Sequence, residues 1–211
     1  MAVDPARMKQ FRVQDRGRPE DIWQPLYDRV NVATTVPAEV GFFATARGST
    51  ATLIRGTATT SAAKTTRDTN LDTPQQIPAK GFQARGLSTY FVAGDIDPDS
   101  ANTDELVADI RKLIDNGYLE WKVGDKLILE IPIDLIPAYT AIYGFASTTR
   151  NSQAVVQAQP FSGRGLYVIG VPITFQPFVT FTLKYKFDGS ITLAQTLDVK
   201  LYLHGVMRRP T

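Results

Sequence analysis

The chain has 211 residues, 43% of them apolar, and a formal net charge of +2. That apolar content excludes a disordered chain, and the near-zero charge gives no sign of a strong polyanion partner from the total alone. The length suits one domain, and the absence of cysteine excludes structural disulfides and thiol chemistry.

The first twenty residues carry charge and Pro5 but no apolar h-region, so no standard secretory signal is expected. No stretch approaches 18 consecutive apolar residues, so no transmembrane helix is expected either. Residues 4–14 can form a short helix with Asp4 as its cap and Pro5 at its first position. Arg7, Lys9, Arg12, Arg16 and Arg18 stand there against Asp4 and Asp15. They read either as an arm that touches nucleic acid, an anionic surface or a neighbouring subunit, or as a solvated tail.

Residues 20–40 read as irregular, broken by Pro25 and Pro37, with Trp23, Leu26 and Tyr27 pinning them to the body. Strands are expected over 40–46 and 51–60, around the turn Arg47-Gly48-Ser49. Residues 57–74, rich in Thr and Ala without a period, read as a long exposed loop or an irregular edge. A strand is expected near 87–93. Asp95, Asp97 and Asp99 then have the spacing that opens a calcium loop, but Ser100 and Leu106 stand where Gly and Glu belong. The competing reading of 95–105 is an acidic turn leading a helix.

That helix is expected over 103–116. Leu106, Val107, Ile110, Leu113 and Ile114 form one apolar stripe, Asp104 and Glu105 suit the first turn, and Gly117 can close it in the left-handed conformation. Strands follow over 118–121 and 126–136, separated by Gly124-Asp125, with Pro132 demanding an edge or a bulge. Short strands are expected at 141–146 and 154–158. Leu166 to Ile173 is apolar on both faces and reads as a central strand.

The last forty residues carry the clearest pattern. Phe175, Val179, Phe181, Leu183, Tyr185 and Phe187 alternate with polar residues, and Ile191, Leu193, Leu197, Val199, Leu201 and Leu203 resume the alternation. Period two marks strands with one buried face. Asp188-Gly189 is either part of a three-residue hairpin loop that pairs Tyr185 with Ile191, or a corner between strands of two sheets. The sum is an all-β protein with one α-helix, a two-sheet β-sandwich or jelly roll.

Tests for chemistry return little. His204 is the only histidine, which argues against a hydrolase triad or a histidine-rich metal site, and its even position points it to solvent or a second layer. Carboxylate pairs such as Glu130 with Asp134 do not show a cleft. Gly163-Arg164-Gly165 opens no helix, and no phosphate loop is present. No enzyme activity, catalytic residue, metal, cofactor or small-molecule substrate is expected.

Two stretches carry a resemblance: LEWKVGDKLILEIPIDLIPA (119–138), preceded by a helix, and FTLKYKFDGSITLAQTLDVKLYLHGVMRRPT (181–211). Together they resemble the jelly-roll capsid proteins of tailless icosahedral bacterial viruses, a likeness of pattern over 80–211. It implies a single jelly roll over 39–211, with the helix near 103–116, behind an N-terminal arm and irregular segment over 1–38. It implies a virion shell subunit, made in the host cytoplasm, that assembles with copies of itself and other capsid proteins. Arg7, Lys9, Arg12, Arg16 and Arg18 would then reach neighbours, the genome or an internal membrane. The alternative, from another class, is a carbohydrate-binding β-sandwich that holds sugars on loop aromatics.

Overall fold

The computed structural model describes residues 20–56, 58–93, 103–136, 142–143, 159–160 and 165–209. The arm residues Arg7, Lys9, Arg12, Arg16 and Arg18, the acidic turn at 95–102 and the expected strand at 154–158 lie outside them. The fold is an all-β sandwich, with one α-helix among the described residues.

Three strands come first: β1 (Glu20–Trp23), β2 (Leu26–Val32) and β3 (Thr35–Val36). The irregular reading of 20–40 is therefore corrected. Pro25 separates β1 from β2 and Pro37 follows β3, so the prolines punctuate strands rather than exclude them. Next come β4 (Glu39–Phe42), β5 (Thr50–Arg55), β6 (Ala58–Ala63) and β7 (Phe82–Ala93). The helix α1 (Thr103–Asp115) leads to β8 (Gly117–Val123) and β9 (Lys126–Pro132), then a short 3-10 turn at Ile133–Leu135. The two-residue strands β10 (Ile142–Tyr143) and β11 (Gln159–Pro160) pair with each other. The last four are β12 (Tyr167–Phe175), β13 (Phe181–Phe187), β14 (Ile191–Thr192) and β15 (Leu197–Arg209).

One sheet has the order β1-β15-β7-β12, with β2 continuing β1 along the same side of β15; the other has the order β4-β13-β8-β9. All pairings in both are antiparallel. The period-two pattern decides which faces meet. In β13 burial alternates without a break, and Phe181, Leu183, Tyr185 and Phe187 point inward. In β15 the inward set is Leu197, Val199, Leu201 and Leu203, all fully buried. Ring contacts fill the space between, with Phe42 edge-on to Tyr185 at 4.8 Å and Trp121 against Phe175 at 5.4 Å.

Asp188-Gly189 is a corner, not a hairpin: β13 lies in one sheet, β15 in the other, and β14 pairs only with β3. Gly189 has φ 94°, which a side chain would resist. Gly117 departs from its expected role. It opens β8 instead of closing α1 with a positive φ, and a Cβ there would stand 2.6 Å from Ile133 Cδ1 and 2.7 Å from the Phe187 ring. It is small because the sheet and the 3-10 turn meet over it.

The strand expected in the centre, Leu166–Ile173, is corrected. Among the described residues β12 is an edge strand that pairs only with β7, and its register shifts between Val168 and Ile173. Pro172 sits in that gap, where a missing N–H breaks no ladder. The strand 126–136 is shorter than expected, because Pro132 ends it and the chain turns into the 3-10 helix.

Two polar atoms in the core have no hydrogen-bond partner among the described residues, Trp121 Nε1 and Tyr185 Oη. Burial pushes the Tyr185 phenol far above its usual range. An unsatisfied buried hydroxyl costs about 1–3 kcal/mol. Tyr185→Phe is therefore expected to stabilise the protein by about 1 kcal/mol, read as a higher urea midpoint at unchanged m-value.

Candidate functional site

The outer face of the β15 sheet carries the polar constellation of this molecule. Cross-strand partners share a face, so Tyr27, Arg29 and Asn31 of β2 stand with Tyr202, Lys200 and Asp198 of β15, and Ser88, Tyr90 and Val92 of β7 beside them. The hairpin β5–β6 and the segment 64–71 cover part of this face. β6 itself is exposed along its whole length. The segment after it is anchored by backbone bonds, Gly48 N to Lys64 O at 2.8 Å, Lys64 N to Ser49 O at 2.9 Å and Arg47 N to Leu71 O at 2.8 Å. The expected exposed loop at 57–74 is thus half hairpin and half buried strap, with Lys64, Asp68, Thr69 and Leu71 inside.

Three carboxylates organise the strap. Asp198 accepts from Arg29 Nε at 2.6 Å, Asn31 Nδ2 at 2.7 Å and Ile54 N at 2.8 Å. Asp68 receives Arg55 on both oxygens, at 2.8 and 2.6 Å, and Thr65 N at 2.8 Å. Asp28 accepts from Lys64 Nζ at 2.7 Å and from Phe43 N at 2.7 Å. All three aspartates are fully buried. Burial pushes the Asp28 carboxyl up in spite of Lys64 beside it. Burial acts the same way on Asp68, but the Arg55 and Thr65 hydrogen bonds outweigh it and hold that carboxyl below its usual range. Such charges stay in an interior only when paired and hydrogen-bonded.

Beside these pairs a small pocket of about 120 Å³ opens, lined by Arg29, Arg67, Tyr90, Val92, Lys200 and Tyr202. Lys200 Nζ donates to the Arg67 carbonyl at 2.8 Å and lies 4.3 Å from the Tyr27 ring centre and 5.0 Å from that of Tyr202. Burial, opposed by Asp68 and reinforced by Arg29 and Arg67, pulls the Lys200 ammonium below its usual pKa.

A second opening, of about 410 Å³, lies where β1, β7 and β12 meet, and includes Asp21, Lys80, Gln83 and Thr174. Its two aromatic residues, Phe82 and Phe175, are buried.

His204 also faces outward on β15, yet it is only 4% exposed. Its Nε2 is 2.7 Å from Ser88 Oγ, its ring stacks near Tyr202 at 5.9 Å, and Trp23 of β1 lies 6.4 Å away. A serine and a histidine at this distance are two parts of a hydrolase triad. Ser88 is fully buried, so no substrate carbonyl reaches its hydroxyl, and the pair serves packing. Burial pushes the imidazole down to about 4. The unfolded chain, with an ordinary value near 6.5, takes up the proton first. Stability should therefore fall as pH drops from about 6.5 to 4 and level off below. The full shift is worth about 3 kcal/mol as an upper bound. His204→Gln should flatten that part of the pH–stability curve, measured by urea unfolding; an unchanged slope would refute the assignment.

α1 holds one further buried carboxylate. Asp109 accepts from Ala194 N at 2.7 Å and Gln195 N at 3.1 Å, and so fixes the loop that launches β15. It interrupts the apolar stripe read from the sequence and has a structural task. The other sequence candidates do not converge: Glu130 and Asp134 are both exposed and belong to neither opening. What the sequence reading missed is the cluster of Asp28, Arg29, Lys64, Asp68, Asp198 and Lys200. Its one available signal was charge inside alternating strands, at Asp28, Arg29, Asp198 and Lys200. Among known proteins, no family model, no curated protein and no solved structure matches this chain.

Proposed function

We propose that the chain is a virion structural protein, a single jelly-roll shell subunit of the kind found in tailless icosahedral bacterial viruses. The observation that carries the reading is the state of the two sheet edges. Among the described residues β9 and β12 each pair on one side only. Leu127 on β9 is 47% exposed, Val168 and Val171 on β12 are 66% and 81% exposed, and Phe178 in the loop after β12 is 61% exposed. Lys126 and Pro132 on β9 and Pro172 on β12 limit further backbone pairing at these edges, so the surface offered to neighbouring copies is the exposed apolar side chains rather than the open ladders. The rigid two-sheet body supplies the wall between those joints. In this reading the partners are copies of the chain and other capsid proteins, the location is the virion, and the arm with Arg7, Lys9, Arg12, Arg16 and Arg18 reaches a neighbour, the genome or an internal membrane. No catalysis is required of it.

The carbohydrate-binding alternative asks for exposed aromatic faces inside one cleft, and the burial of Phe82 and Phe175 in the larger opening offers it no support.

Sedimentation velocity and electron microscopy of purified protein test the proposal. Large symmetric oligomers, or co-assembly with shell proteins of the same particle, are expected, and Val171→Lys should abolish them without lowering the melting temperature. A strict monomer at high concentration that is also absent from purified particles would refute it.

A further inference from the structure

The charge around the small pocket on the outer face of the β15 sheet does not balance. Four cations gather there among the described residues: Arg29, Arg55, Arg67 and Lys200. Two anions answer them, and each is already engaged, Asp198 by Arg29 and Asp68 by Arg55, while Asp28 and Lys64 pair with each other on the inward side of β2. The two cations left over, Arg67 and Lys200, both line the pocket, as does Tyr90. Lys200 is half-buried, its visible partners being a carbonyl and two tyrosine rings, none of which neutralises a full charge. A cation held partly out of water beside other cations is stabilised by an incoming anion, and guanidinium with ammonium is a donor set suited to phosphate oxygens.

Size narrows the choice. Pockets for whole organic ligands run to about 300–1,000 Å³. This one, at about 120 Å³, takes a single tetrahedral group and leaves the remainder of its bearer outside. Tyr90, 38% exposed at the rim, offers that remainder an aromatic surface.

We propose that Arg67 and Lys200 form a phosphate-binding subsite, which takes the phosphate group of a small phosphate ester or of a single-stranded nucleic-acid backbone. The site is independent of whether the chain builds a shell.

Two probes separate the two sources: inorganic phosphate, followed by isothermal titration calorimetry, and a fluorescent deoxythymidine decamer, followed by anisotropy at low salt. The arm residues would hold a decamer unaided, so the variants decide. Arg67→Gln changes an exposed side chain, and Lys200→Met keeps the length that packs on the tyrosines. Each is expected to weaken the binding of whichever probe binds by at least tenfold, with the melting temperature of Arg67→Gln unchanged. Decamer binding that phosphate displaces identifies a strand as the ligand. Phosphate binding that Arg67→Gln and Lys200→Met both weaken, with no effect of either on the decamer, identifies a small ester. Failure of both probes to bind, or binding that neither variant weakens for any probe, overturns the proposal.

Discussion

Replacing Asp198 with alanine is expected to cost about 3–5 kcal/mol, the largest effect of any single side-chain truncation in the polar cluster. The reason is what it leaves behind. Arg29 is 4% exposed, and its Nε–H donates a hydrogen bond to Asp198 at 2.6 Å. Its Nη2 is bonded to the Ile54 carbonyl at 2.6 Å, and the next carboxylate, Asp68, is 3.8 Å away. Without Asp198 a guanidinium stays buried with half its compensation gone, and Ile54 N loses its acceptor as well. The pair itself is worth far less than that loss, because both charges had to leave water to form it. The double variant Asp198→Leu with Arg29→Met should accordingly recover most of the stability. Urea unfolding of Asp198→Leu, Arg29→Met and the double completes the cycle. A cost under about 1 kcal/mol for Asp198→Ala would mean that water reaches the network.

Gly205→Ala is expected to cost at least about 3 kcal/mol, although it adds one methyl group. Gly205 lies where the register of β15 against β7 shifts, just past His204. A Cβ there would stand 2.1 Å from the Gln83 carbonyl oxygen and 2.5 Å from Phe82 Cζ. The Phe82 ring can swing, but the Gln83 oxygen is backbone inside a strand and cannot yield without parting β7 from β15. Because these two strands are the centre of their sheet, the strain spreads to β1, β2 and β12. The chemical denaturation midpoint of the variant checks this. Gly170→Ala is the control, since a Cβ there meets nothing within 4 Å, and it should be nearly silent.

Both effects lie where the sequence says least. Alternation in 175–203 names the inward residues correctly because a pleated strand with one wet face allows no other arrangement. The helix is equally legible, since its stripe is local. The failures share a cause. Leu166–Ile173 is apolar on both faces, which suits a central strand, but such a strand can equally be an edge whose exposed side chains await something outside the chain. Residues 57–74 show no period because they are held by a few long-range ion pairs, with partners at positions 28 and 29, and ion pairs leave no periodic trace.

The sequence by itself determined that this is a β-rich sandwich with one helix, and which side chains fill the space between its sheets, because hydrophobic burial on strands writes a repeat of two into the chain. Only the tertiary structure decided that Asp188-Gly189 is a corner between sheets, that β12 ends its sheet among the described residues, and that four cations and two aspartates from β2, β5, β15 and the strap meet on one face. Those depend on which strand lies beside which. Strand neighbours distant in the chain are chosen by the free energy of the whole packing, to which no single stretch of residues holds the key.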